Sequence, residues 1–170
     1  SAHRLDALKP RLARSGLSNV HPVAIAHERD ERIKRLAGKI DRVLVDAPCS
    51  GLGTLRRNPD LKWRQTPQAV SEMVLKQGAI LASAARLLKP GGRLVYATCS
   101  VLPEENERIA QAFGQAHPMF RAVSAAELLG ELKVAQAPAL CSEVEGVSYL
   151  RLWPHRHGTD GFFAAVWQRV

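Results

Sequence analysis

The sequence predicts an α/β fold: a mostly parallel sheet flanked by helices, with an antiparallel pair of strands at its C-terminal edge. Three observations predict it. The runs at residues 42–45 (RVLV) and 94–98 (LVYAT) are short and apolar at nearly every position, as strands covered on both faces are. Between them Val70, Val74, Leu81, Ala84 and Leu88 recur at near-helical spacing. At the C-terminus VSYLRLWP and GFFAAVWQR form two more strand candidates, joined by HRHGTDG as a hairpin or close antiparallel pair.

Taken in order, the elements begin with a basic amphipathic helix. Leu5, Leu8 and Leu12 share one face, Arg4, Lys9, Arg11 and Arg14 occupy others, and Gly16 follows the last turn as a stop. Residues 20–26 are expected to form a strand despite Pro22, followed by the charged, solvated stretch HERDERIKR. After the strand at 42–45 a helix is expected from Pro67 to Lys89, ended by KPGG at 89–92, and then the strand at 94–98. Pro103 with Glu104 and Glu105 suits the first turn of a helix running through Phe113, where a missing N–H costs nothing and acids face the positive end of the dipole. SAAE at 124–127 is a capping-box signature for one more short helix, and residues 135–146 are expected to be loose.

Composition narrows the function. A chain of 170 residues, 46% of them hydrophobic, can bury one sizeable core. No stretch approaches the roughly 18 apolar residues of a membrane span, so a cytoplasmic protein without membrane partners is expected. Lys and Arg number 24 against 16 Asp and Glu, a formal charge of +8 that suits a polyanionic partner such as RNA. Three cysteines, Cys49, Cys99 and Cys141, have no CxxC spacing, which argues against a disulfide framework and a zinc site. His155 and His157 form an HxH pair that no carboxylate or cysteine cluster joins, so no metal is expected.

In open α/β sheets ligands collect beyond the carboxyl ends of the strands. Asp46, Pro48 and Cys49 follow one strand and Cys99 follows the other, each cysteine with a serine behind it. A nucleophilic cysteine reacts as the thiolate and needs nearby N–H groups or positive charge to form it. The helix opening after Cys99 and the Ser-Gly-Leu-Gly turn after Cys49 are both able to provide them. Cys141, in the loose stretch, is expected to act only as a small hydrophobe. Pro48 stiffens the turn after Asp46, whose carboxylate is placed to accept from an exocyclic amine. The segment TLRRNPDLKWRQ carries Arg56, Arg57, Lys62 and Arg64 around Trp63, a combination suited to phosphates and a stacked base.

Taken together, DAPCSGLG, RRNPDLKW, LKPGGRLVYATCSVLPEENE and PHRHGTDGFFAA resemble the RsmB/Sun-type (NOL1/NOP2/Sun) family of RNA cytosine-5 methyltransferases, from the first helix to the C-terminus. The resemblance implies the Rossmann-like class I methyltransferase sheet and S-adenosyl-L-methionine as cofactor. It implies that Cys99 attacks carbon 6 of a cytosine, making carbon 5 electron-rich enough to take the methyl group. Cys49 would assist release of the methylated base through removal of the carbon 5 proton, and Asp46 would lie between cofactor and base. A target base must leave its stack to meet a thiol, which favours unpaired or readily opened RNA. Ribosomal RNA is the substrate the resemblance favours, with transfer RNA the alternative.

The chain also departs from the family pattern. Residues 1–170 are expected to be the C-terminal part of the catalytic domain, lacking the first two strands, the glycine-rich cofactor loop and the N-terminal RNA-binding domain, and to be weak or inactive on their own. His27 or Glu28 occupies a position where an acidic adenine contact is expected. The strand at 42–45 would then have a free edge, expected to be covered by residues 20–26 moving inward or by self-association with another copy. A non-catalytic RNA-binding module stays open as the alternative function.

Overall fold

The computed structural model describes residues 2–170. The first helix, α1, spans Ala2–Ser15 and ends at Gly16, whose φ of +68° is the left-handed stop expected of it. Leu5, Leu8 and Leu12 are its half-buried face. Residues 20–25 then pass without forming a strand, leaving Val20, Val23 and Ile25 exposed. Pro22 removes a ladder donor from this short segment, and no strand pairs with it. The charged stretch after it contains a capped turn: Asp30 accepts from Arg32 N at 2.9 Å and Ala26 N at 3.2 Å, opening α2, Glu31–Lys34.

Strand β1, Ile40–Asp46, runs parallel to β2, Leu88–Thr98, with Val43 beside Leu94 and Val45 beside Tyr96. The short helical turn α3, Leu61–Arg64, precedes the long helix α4, Pro67–Ala85, which Thr66 caps by accepting from Ala69 N at 3.1 Å. The helix stops short of the expected KPGG. Gly38 N and Lys39 N donate to the carbonyls of Arg86 and Leu87, which draws the chain into the sheet at Leu88. KPGG is instead an excursion within β2, between the pairs Ile40–Leu88 and Arg42–Arg93, with Gly91 at φ +76°.

The 3-10 turn at Pro103–Glu105 leads into α5, Glu107–Ala116, followed by β3, Phe120–Val123, and α6, Ala125–Glu131. Ser124 caps α6 from the predicted box, accepting from Glu127 N at 3.2 Å. The chain closes with β4, Cys141–Val144, β5, Val147–Leu152, the turn α7, Pro154–His157, and β6, Phe162–Arg169.

The sheet order is β1-β2-β6-β5-β4, with β3 paired to the far end of β6. Strands β1, β2, β3 and β5 point one way, while β6 and β4 run against them. The fold class and the antiparallel pairing of β5 with β6 are as predicted. The pair is not simply the edge, however: β6 is inserted between β2 and β5, and its buried Phe163, Ala164, Ala165 and Trp167 match a strand covered on both faces. Part of the stretch expected to be loose is the outermost strand, β4. Glu145 and Gly146, at φ +51° and +76°, make the tight turn that folds it back on β5.

Leu81 and Leu88 pack with Leu94, Tyr96, Phe163 and Trp167 into one core. Among the described residues no strand pairs with the outer edge of β1, where Leu44 is 68% exposed. Residues 20–26 do not move in to pair with it, contrary to the first of the two coverings the sequence suggested, although Ile25 and Ala26 line a groove along it. Among the described residues no helix is long and apolar enough to cross a membrane, and no cluster of three or more His, Cys, Asp or Glu side chains could hold a metal. His157 has a structural post: its Nδ1 accepts from Trp153 N at 2.8 Å, leaving Nε2 to donate to Ala139 O at 3.0 Å.

Candidate active site

Because β1 and β2 are parallel neighbours, with Asp46 beside Ala97, their carboxyl-end loops leave the same side of the sheet. Ala47 N still donates to Ala97 O at 2.9 Å, so the two chains separate only one residue before Pro48. The loops carry Cys49 and Cys99 into contact, Sγ to Sγ at 3.4 Å, both half-buried.

Under the sulfurs lies a carboxylate that the sequence did not single out for chemistry. Glu105 is 0% exposed and accepts from Ser50 N at 2.8 Å, Ser50 Oγ at 2.5 Å, Gln77 Nε2 at 3.1 Å and Ser100 Oγ. The two serines are those that follow the two cysteines, and their hydroxyls stand 3.2 Å apart. Thr98 Oγ1 donates to Asn106 Oδ1 at 2.5 Å, and Asn106 Nδ2 donates to Ser100 O at 3.0 Å, which ties the second loop to the start of α5. Gly53 stitches three segments: its N–H donates to Cys99 O at 2.9 Å and its carbonyl accepts from Gly161 N at 2.8 Å.

The thiol pair gives up its first proton readily and keeps its second tightly. Cys99 is lowered to about 7, chiefly by the hydrogen bond from Cys49, which favours the thiolate over the opposing effects of burial and of the Asp46 and Glu105 charges. Cys49 is pushed up, first as the donor in that bond, then by burial and the neighbouring Cys99 charge. Alkylation with iodoacetamide is therefore expected to label Cys99 with a rate midpoint near pH 7, because its thiolate forms above that value. Cys49 should stay largely unlabelled through pH 9, and mass spectrometry of the alkylated peptides distinguishes the two. Cys141 lies at the other end of the sheet on β4, its thiol raised by burial, and takes no part in the site.

Asp46 opens onto the groove along β1, about 570 Å³, which His27, Glu28, Val43, Leu44, Lys76 and Ile80 also line. The basic segment lies past the end of β1, and Gln65 Nε2 holds it to the Cys49 loop through Ser50 O at 2.8 Å. Its charges are partly engaged. Arg57 pairs with Asp160, Arg56 approaches the same carboxylate at 3.9 Å, and Arg64 pairs with Asp60 at 2.7 Å. Lys62 Nζ sits 4.8 Å from the centre of the Trp63 ring, and Trp63 is 80% exposed, a free aromatic face and not a core anchor. Besides Glu105, sequence reasoning missed Gln77 and Asp160. The repeated Cys-Ser step was the available signal for a shared partner.

This sheet, with two half-buried cysteines meeting at the carboxyl ends of adjacent parallel strands, is a Rossmann-like methyltransferase fold. The crystal structure of PH0851 superposes on 99% of this chain with a TM-score of 0.85 at 38% identity, the match spanning 35% of that protein. NSun6 from Pyrococcus horikoshii, solved with SFG, superposes on all of the chain with a TM-score of 0.77 at 29% identity, over 40% of its own length. The chain belongs to the 16S rRNA methyltransferase RsmB/F family, whose model matches residues 1–168. It is 43% identical over 126 residues to the probable ribosomal RNA small subunit methyltransferase B of Synechocystis sp., a match covering 74% of this chain and 26% of that one. The chain spans roughly a quarter to a third of the length of the curated relatives it matches, from 26% to 36%.

Proposed function

We propose that the chain carries the reacting thiols of a ribosomal RNA cytosine-5 methyltransferase that uses S-adenosylmethionine. The observation that carries the reading is the 3.4 Å contact of two cysteine sulfurs at adjacent strand ends in a member of this methyltransferase family. Carbon 5 of cytosine is a poor nucleophile until a thiolate adds to carbon 6. Cys99, whose thiol is lowered, forms the S–C6 bond and pushes the ring electrons toward carbon 5. Cys49 keeps its proton while the Cys99 thiolate stands beside it; once that charge is consumed in the S–C6 bond, Cys49 gives its proton to water, and its thiolate takes the carbon 5 proton, whose bonding electrons restore the C5–C6 double bond and expel Cys99 as the thiolate.

S-adenosylmethionine, when bound, supplies the methyl group from its sulfonium centre. The groove beside Asp46 suits it: Val43, Leu44 and Ile80 offer apolar walls for a flat ring, and the Asp46 and Glu28 carboxylates offer acceptors. A structural relative solved with SFG, an analogue of S-adenosylmethionine, supports the same cofactor. Arg56, Arg57, Lys62 and Arg64 would bind phosphates, with Trp63 stacking on a base turned out of its helix.

Incubating a longer protein that contains this chain together with the family's glycine-rich cofactor loop, with 16S rRNA and methyl-labelled S-adenosylmethionine, tests the reading. Label is expected at carbon 5 of cytosine and absent from Cys99→Ala; label on another atom, or transfer undiminished in that variant, would overturn it.

A further inference from the structure

We propose that Glu105 is the positioning residue that holds the two cysteines at working distance. Cys49 and Cys99 sit on loops 50 residues apart in sequence, and the backbone bonds that join the loops, Ala47 N to Ala97 O and Gly53 N to Cys99 O, flank Cys49 without holding the residues next to it. Glu105 provides one. One of its oxygens accepts from Ser50 N and Gln77 Nε2, the other from the hydroxyls of Ser50 and Ser100. The residue immediately after each cysteine is thus fastened to the same carboxylate, which is sealed from water. Gln77 Nε2 also donates to Pro48 O at 2.9 Å, so the clamp grips the first loop on both sides of Cys49. Tyr96 Oη donates to the Glu105 carbonyl at 2.6 Å and fixes the clamp to β2. Since a carboxylate accepts and cannot donate, all four donors converge on it without competition.

An amide at position 105 breaks this pattern, because its NH₂ would face donors where an oxygen now accepts. Its consequence for turnover rests on the covalent reading above, but the placement of the sulfurs does not, and the experiment reads the sulfurs directly. In a Cys141→Ala background, diamide joins Cys49 and Cys99 as a disulfide, taking up the two thiol hydrogens as it becomes the hydrazine. The rate reports how often the sulfurs meet.

Glu105→Gln is expected to slow this cross-link by about tenfold or more, since small displacements of paired groups are costly. It should also raise the pH midpoint of Cys99 alkylation above about 7, because the bond from Cys49 that lowers it outweighs the relief of losing the Glu105 charge. Circular dichroism confirms that the variant is folded. Should Glu105→Gln not fold, Ser50→Ala with Ser100→Ala removes the same hydroxyl contacts while leaving the carboxylate and both sulfurs in place. A folded variant that cross-links at the original rate overturns the proposal. Loss of methyl transfer with unchanged cross-linking would place the fault elsewhere, and absence of methyl transfer in the unaltered protein would bear on the covalent reading alone.

Discussion

Cys49→Ala is expected to arrest the protein on its RNA as a denaturant-resistant complex, whereas Cys99→Ala and the double variant should form none. The asymmetry follows from how the pair shares its protons. On the proposed mechanism Cys99, with the lowered thiol, attacks, while Cys49 retains its proton in the resting pair and is needed only after the S–C6 bond exists. Removing Cys49 leaves addition possible but takes away a group that acts in the proton removal allowing the bond to break. Loss of a positioned acid–base group costs roughly 10²–10⁴-fold, about 3–5.5 kcal/mol on the barrier to release. Cys49→Ala also deprives Cys99 of the hydrogen bond that lowers it, so the adduct should accumulate more slowly at pH 6.5 than at pH 8, where thiolate forms without that help. Denaturing gel electrophoresis with end-labelled RNA measures both. A complex formed by Cys99→Ala and not by Cys49→Ala would exchange the two roles.

How much of this was legible before the structure depended on how local each feature is. The strands at 42–45 and 94–98 were readable because β-branched and apolar residues run together with turn signals close behind, and parallel pairing of these strands then brings Cys49 and Cys99 to one side. The C-terminal limit of α4 was misplaced because its end is set by bonds from Gly38 and Lys39, a pairing that local spacing does not reveal. Residues 20–26 have strand-like composition, but a strand needs a neighbour as well as a pattern. Strand β4 went unseen although its Glu145-Gly146 turn is a hairpin signal, since only four residues follow the pattern.

In the site, the cysteines were visible as residue types at strand ends. Glu105 was visible only as an acid near a helix start, because its function arises from a meeting with Ser50 across 55 residues. The pairing of Arg57 with Asp160 spans still more chain, and it changes the meaning of the basic segment. Two of its charges are held in place by the same GTDG loop that supports Gly53, so the platform is fastened to the thiol site.

That fastening makes Gly53→Ala the most damaging single-methyl change expected in the molecule. A Cβ at position 53 would lie 2.3 Å from Gly161 O and 2.6 Å from Cys99 O, both backbone atoms that no rotamer change can remove. Relief requires the three segments to part, which breaks the bonds from Gly53 N to Cys99 O and from Gly161 N to Gly53 O. Two buried hydrogen bonds at about 1 kcal/mol each, with overpacking strain of 1–3 kcal/mol, give a loss of about 3–5 kcal/mol in urea unfolding. Gly78→Ala is the matched control: nothing lies within 4 Å of its Cβ, it sits within α4, and helix propensity should raise stability by up to about 1 kcal/mol. The clash falls on the Cys99 carbonyl itself, so any folded Gly53→Ala protein should also cross-link Cys49 to Cys99 more slowly, while Gly78→Ala should leave that rate unchanged. Wild-type stability together with a wild-type cross-linking rate in Gly53→Ala would mean that the three loops are not held together at this glycine.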